Sequence, residues 1–421
     1  AAALRRRALR LRYGQCAELI EQTADWPELT RVLKLAGGSR VSRAAAAGPC
    51  LAAFRPDVSN APTTLPPPAK LMDAARRLLP EGLGRELEYA LLFYQDLERF
   101  LAATAAGPGD HVWLGTAHAR EALAVHWAVE QLGIEHSPVF HLEFRHALFA
   151  CDARAPQVPI ETSLTRMQRD LLRLHAEWGA NDRLRFYTDS AALSRDYESL
   201  VPLSFGVLPL PFRAHLVQRR ARRAGQPLTI GYLGEARDEK GFPLLPGLIE
   251  ALLHDYVLPG KVRFLLQSNV SQPRFNPRSA GALAQLRRQA YPGVELVARD
   301  APLSPEAYHA LISQADIVLL PYAIDAYQAR TSGAMGEALA AGAAVVVTAG
   351  TWLAEELPPG CGETFNTPEE FAAAVRRVVD HFGAYRSAAE SYRPIWRQRH
   401  SPEALIHALS GGSGACRSRA A

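Results

Sequence analysis

Five short apolar runs, at 228–233, 262–267, 294–297, 317–320 and 344–348, leave this chain few folds to choose from. They are apolar on both faces, as strands buried between two layers must be. The stretches between them, 243–253, 280–290, 304–313 and 333–341, carry apolar residues at helical spacing. Parallel neighbours need a crossover of about a dozen residues or more, and these helices supply it. The pattern predicts an α/β domain with a doubly wound parallel sheet.

The first half alternates in the same way, less clearly. Strands are expected at 111–114, 137–144 and 183–187. Helices are expected at 71–79, 87–103, 118–132 and 164–178, with another running to 200 that Asp189 or Ser190 would cap. Segment 202–211 (PLSFGVLPLP) reads as a strand end passing into a proline-punctuated linker, and 218–226 (QRRARRAGQ) as a polar connection. Residues 1–69 are hard to read. They offer a helix start at Asp25-Trp26-Pro27, at most one strand near 51–54, and a breaker-rich stretch at 61–68. The expected organisation is an ill-defined extension (1–69), a Rossmann-like domain (70–215), a second Rossmann-like domain (216–395), and a terminal helix with a flexible tail (396–421). Helices at 371–382 and 402–409 would close the chain.

With 421 residues, 48% of them hydrophobic, the chain can build real cores, which excludes a disordered protein. No apolar run reaches the ~18 residues of a membrane span. Basic residues number 47 and acidic ones 43, for a net charge of +4, a balance that argues against a dedicated nucleic-acid partner. The five cysteines are scattered, without metal-ligand spacing, so a reducing, cytoplasmic setting with no structural zinc is expected. Only four of the basic residues are lysines, and this bias, with abundant alanine, points to a GC-rich bacterial genome. Arg5, Arg6, Arg7, Arg10 and Arg12 stand together without an acid. They form either a candidate peripheral contact with an anionic inner-membrane face or a frayed chain start.

Two constellations could carry chemistry. The first is YLGEARDEKG at 232–241, where a buried strand ends and Gly234 lets the loop backbone pass close to a ligand. Arg237 and Lys240 follow at the sheet's C-terminal edge and could hold phosphate oxygens. The bland reading is a solvated loop in which Asp238 and Glu239 pair with those cations. The second is ARTSGAMGEALAAG at 329–342. Here Thr331, Ser332 and Gly333 open a helix whose free amides and positive dipole end suit a diphosphate. Glu337 lies one turn deeper on the same face, where it could accept from ribose hydroxyls or simply be an exposed helix residue. Gly342 reads as the C-cap. In the first half, His118 follows a strand and turn as a candidate sugar contact, proton-transfer group or helix cap. His141, Glu143, Arg145 and His146 crowd another strand end as candidate acceptor contacts. Asp189 reads as a cap before a base, and Glu355 and Glu356 as solvated.

Residues 228–360 resemble the donor-binding domain of GT-B glycosyltransferases of the family 4 type. The resemblance rests on YLGEARDEKGF at 232–242, SPEAYHALISQAD at 304–316, DIVLLPY at 316–322 and GEALAAGAAVVVT at 336–348, in that order and spacing. It implies two Rossmann-like domains facing a cleft, the second holding a nucleoside diphosphate-sugar and the first an acceptor, whether sugar, glycan or lipid. It further implies that Gly234 belongs to the phosphate loop, that Lys240 contacts donor phosphate, and that Glu337, the second glutamate of an E-x7-E motif, binds ribose. Arg330, Thr331, Ser332 and Gly333 would complete the donor site, with His118, Arg237 and Lys240 as catalytic groups and His141, Glu143 and Arg145 on the acceptor. Two positions depart from the pattern. Glu235 stands where an arginine is usual, with Arg237 as its substitute, and Ala329 stands where the first glutamate should face the donor sugar. The expected activity is a metal-independent sugar transfer without a bound cofactor. An inactive glycosyltransferase-like binding protein and a same-fold epimerase or phosphorylase are the alternatives.

Overall fold

The computed structural model describes residues 31–33, 50–53, 84–104, 106–152, 155–177, 181–212, 217, 225–270, 273–297 and 303–410. The chain divides into two compact units, one of residues 1–150, 160–209 and 402–421, the other of 151–159 and 210–401. Among the described residues, no helix is long and apolar enough to cross a membrane. The arginine-rich start, the expected helix start at 25–27, the expected helix at 71–79, the 61–68 stretch, most of 218–226 and the tail from 411 lie outside the described residues.

The first unit holds β1 (Arg31–Leu33), β2 (Cys50–Ala53), β3 (His111–Leu114) and β4 (Val139–Phe144). A two-stranded ribbon, β5 (Phe149–Asp152) and β6 (Ala155–Glu161), comes next in the chain, then β7 (Leu184–Thr188) and β8 (Phe205–Val207). The six-stranded sheet runs β1-β2-β3-β4-β7-β8 and is parallel throughout. Two early strands therefore stand where the sequence predicts one. β1 has only three residues, too few to leave a period, and it pairs with β2 in register Arg31↔Cys50. β4 is buried at all six positions, as a central parallel strand must be. Phe144, Phe186, Tyr197 and Phe205 pack there as an aromatic cluster. The terminal helix Pro402–Leu409 also belongs to this unit: Leu405, Ile406 and Leu409 pack with Trp113 and Leu208.

The second unit holds β9 (Leu228–Tyr232), β10 (Val262–Gln267), β11 (Val294–Val297), β12 (Ile317–Leu320), β13 (Ala344–Thr348) and β14 (Gly362–Phe365). All are parallel, in the order β11-β10-β9-β12-β13-β14. This is the doubly wound order, in which the first strand lies centrally and the winding reverses beside it. Alternate side chains feed two cores. Ile317 and Leu319 join Ile230, Phe264 and Leu266 on one face, while Val318 and Leu320 join Met335, Leu339, Val345 and Trp396 on the other. The sequence misses β14 and the helix Phe382–Arg399, which follows Pro368–Asp380 where a single helix to 382 was expected. Pro394 sits inside that helix, and its Trp396 donates from Nε1 to the Gly336 carbonyl at 3.0 Å.

Candidate active site

The winding of the second sheet reverses between β9 and β12, so the loops leaving those two strands flank the crevice where open α/β sheets bind ligands. The loop after β9 is anchored on three sides. Gly234 adopts φ +129° and donates its N–H to Gln267 Oε1 at 2.8 Å, at the end of β10. Ala236 N–H bonds the Asn269 carbonyl at 2.9 Å. Asp238 turns away from the loop's cations. Its carboxylate accepts from the N–H and the hydroxyl of Ser279, each at 2.7 Å, and so caps the helix Pro277–Gln289. Gly241 has φ +71°, and a Cβ there would stand 1.9 Å from the Pro321 carbonyl oxygen. Only glycine lets the loop close so tightly on the end of β12.

This anchoring gathers three cations. Arg237 donates from Nε to Glu235 at 2.7 Å and lies 3.6 Å from Glu239, so it is paired as the sequence suggests with Glu239, but with Glu235 in place of Asp238. Arg330 lies 3.8 Å from Glu239 and stacks 4.8 Å over the Tyr327 ring. Lys240 differs from both: among the described residues it has no carboxylate within 4.0 Å. Its Nζ stands 3.6 Å from where a Gly234 Cβ would be, and 5.7 Å over the Tyr322 ring. Burial, with Arg237 nearby, pulls the Lys240 ammonium down to about 8.

The helix Gly333–Ala341 opens next to this loop. Ser332 is its N-cap, with Oγ accepting from Met335 N–H at 3.3 Å. A Cβ on Gly333 would meet nothing within 4 Å, so the space above the first turn is open. Glu337 is not the exposed glutamate of the bland reading. Its side chain is 18% exposed and faces His309 Nε2 at 3.2 Å. Gly342 takes φ +71° and closes the helix as its C-cap. Ala329 is buried and offers no polar group.

In the first unit, His118 is the N-cap of the helix Ala119–Leu132, and its own N–H donates to Glu121 at 2.8 Å. Its ring stacks on exposed His146 at 4.3 Å. Arg145 is exposed and donates to Asp189 at 2.9 Å, with Glu143 3.8 Å away. Asp189 is thus an ion-pair partner, and Ser190 is the cap, accepting from Leu193 N–H at 3.1 Å. Glu143 is buried, one carboxyl oxygen has no partner, and burial, with Asp189 adding, pushes its carboxyl up to about 8 against the pull of Arg145. His141 corrects the sequence reading. It lies below the strand end, fully buried between His111 at 2.8 Å and Tyr187 at 3.2 Å, so it presents nothing to an acceptor. Glu356 is not solvated but pairs with Arg399 at 2.9 Å.

Sequence reasoning missed Gln267, Tyr322, Gly241 and His309. His309 left a faint trace, a histidine three residues before Ile312 on the apolar face of its helix. The others act through long-range contacts that carry no local signal. Among the described residues, no group of three or more His, Cys, Asp or Glu is placed to hold a metal ion.

Residues 261–410 match the Glycosyl transferase-like family. A search of curated proteins finds no significant match. Sucrose-phosphate synthase from Thermosynechococcus elongatus superposes with a TM-score of 0.57 at 14% identity, covering 86% of this chain and 88% of that one. Anabaena Alr3699/HepE in complex with UDP gives 0.55 at 13% identity, with coverage of 86% and 90%. A UDP-forming α,α-trehalose-phosphate synthase from Burkholderia xenovorans gives 0.54 at 11%, with coverage of 76% and 77%. The fold is of the GT-B type, and the glycosyl transferase-like match falls on residues 261–410 of it. Both Rossmann-like units of that fold are present, and the switch-point crevice just described lies in the unit that contains most of the family match.

Proposed function

We propose that this GT-B protein transfers a sugar from a nucleoside diphosphate-sugar to a hydroxyl-bearing acceptor, using its own cations in place of a metal. The observation that carries the reading is Lys240, a lysine without a carboxylate partner among the described residues, held over Gly234 beside the open start of the helix Gly333–Ala341. A diphosphate bound there would take Lys240, Arg330 and the helix amides as donors, with Arg237 sharing its charge between Glu235 and the ligand. Glu337, one turn along the helix, would accept from the ribose hydroxyls.

In the reaction, the bond from the sugar's anomeric carbon to the β-phosphate oxygen breaks, and its electron pair leaves with the diphosphate. The acceptor oxygen bonds that carbon and loses its proton. Fixed cations and amides aimed at the leaving diphosphate stabilise the charge that grows as the bond breaks. In the first unit, exposed Arg145 and the His118–His146 pair are the groups assigned to holding an acceptor, whose proton passes to solvent. The UDP complex of a protein with this fold makes UDP-sugars the first donors to try. The test is release of nucleoside diphosphate from a panel of UDP-, GDP- and ADP-sugars. Release supports the reading; binding of the donor without release identifies a glycosyltransferase-like binding protein; neither binding nor release rejects it.

A further inference from the structure

The one charged residue of the helix Gly333–Ala341 is Glu337, and what holds it comes from another helix. The helix Pro305–Ile312 is capped by Ser304 and directs His309 inward, 3% exposed. Its Nδ1 lies 2.6 Å from the Pro305 carbonyl oxygen and its Nε2 lies 3.2 Å from Glu337 Oε1. A carboxylate only accepts, so it is a ring carrying its proton on Nε2 that bonds Glu337, and Nδ1 then has no proton for the Pro305 carbonyl unless the ring is the imidazolium. A glutamate side chain has three rotatable bonds, and a free one must be ordered when a ligand arrives. Here that ordering is complete beforehand, and a carboxylate with about four lone-pair sites can still accept from a ribose.

We infer that His309 is the positioning residue for ribose recognition: it fixes the Glu337 carboxylate at the depth and angle from which the nucleotide's hydroxyls are read. This rests on the donor-site reading above. His309 touches no part of the ligand; it acts through Glu337, and by preorganising it raises affinity for ribonucleotides over deoxyribonucleotides.

The experiment is calorimetric titration of the full chain with UDP, or GDP if that binds more tightly, and with the 2′-deoxy form of the same nucleotide. Wild type is compared with Glu337→Gln, His309→Phe, His309→Met and His309→Gln. Phenylalanine keeps a ring of similar shape without a donor; methionine removes the donor with a flexible chain, in case the ring does not fold; glutamine restores an N–H. Both donorless variants should bind the ribonucleotide about tenfold more weakly, with a smaller penalty for the deoxy form, and glutamine should recover affinity to within about threefold of wild type. A change in packing alone would lower the unfolding temperature and leave the deoxy penalty as it was. If Glu337→Gln abolishes the penalty while both donorless variants keep it, His309 is not the positioning residue. If Glu337→Gln keeps the penalty, or wild type binds neither nucleotide, the donor-site reading fails and this inference falls with it.

Discussion

Replacing Lys240 with methionine keeps most of the side chain's length and removes its charge. The glutamates nearest the loop's cations, Glu235 and Glu239, are engaged by Arg237 and Arg330, so Lys240 is left to an incoming anion. Losing one hydrogen bond from a charged donor to phosphate is worth about 1.5–3 kcal/mol, or roughly 10- to 150-fold in affinity. The pH dependence is more telling. Because burial and Arg237 hold the ammonium near about 8, wild type should bind a nucleoside diphosphate progressively less well as pH rises through that value. The variant, with nothing there to titrate, should show a flat profile in that window. Stability should move the other way. The unfolded lysine keeps its proton above pH 8 where the folded one releases it, so wild-type stability rises with pH from about 8 toward the ordinary lysine value, about 10.4. The variant should lose that slope and unfold at the same or a higher temperature near neutrality. Calorimetric titration with UDP and thermal unfolding, both across this pH range, make the comparison. Equal affinities, or parallel pH profiles for the two proteins, would refute the assignment of Lys240 to the phosphate.

Gly241→Ala should destabilise the second unit by about 3 kcal/mol, because it combines a left-handed backbone with a Cβ driven into the Pro321 carbonyl; denaturant unfolding measures it. Nucleotide affinity should fall with it, since the same loop carries Lys240. Glu143 gives an opposite pH signature. Its folded carboxyl holds a proton up to about 8 that the unfolded chain releases near about 4.3, so its contribution to stability is lost as pH rises between those values. Glu143→Gln should flatten the fall in unfolding temperature over that window, and an unchanged slope would place the titration elsewhere.

Much of the second unit was legible because its strands are short apolar runs, buried on both faces in all but the edge strands β11 and β14. Val262–Gln267, Val294–Val297, Ile317–Leu320 and Ala344–Thr348 coincide with their apolar runs. What escaped lacked that contrast. β14 has one buried residue in four, and the helix Phe382–Arg399 carries Gly383 and Pro394, local signals for a break that tertiary contacts through Trp396 override. In the site, Gly234, Lys240 and the helix start could be read from residue type and spacing. The Gly241–Pro321 contact spans 80 positions and the His309–Glu337 pair 28, and neither leaves a periodic trace. His141 was misplaced because proximity to a strand's end in sequence does not tell which way a side chain points. One residue's step turns it from one face of the sheet to the other.

The central claim is that the crevice beside Gly234, Lys240 and the start of the helix Gly333–Ala341 binds a nucleoside diphosphate with the chain's own cations. Calorimetric titration of the full chain with UDP and GDP, in the presence of a chelator, tests it most directly, with the Lys240→Met/Glu337→Gln double variant as control. The account predicts saturable one-site binding of at least one nucleotide to wild type and its loss in the double variant. No binding of either nucleotide, or binding that survives both substitutions, would contradict it.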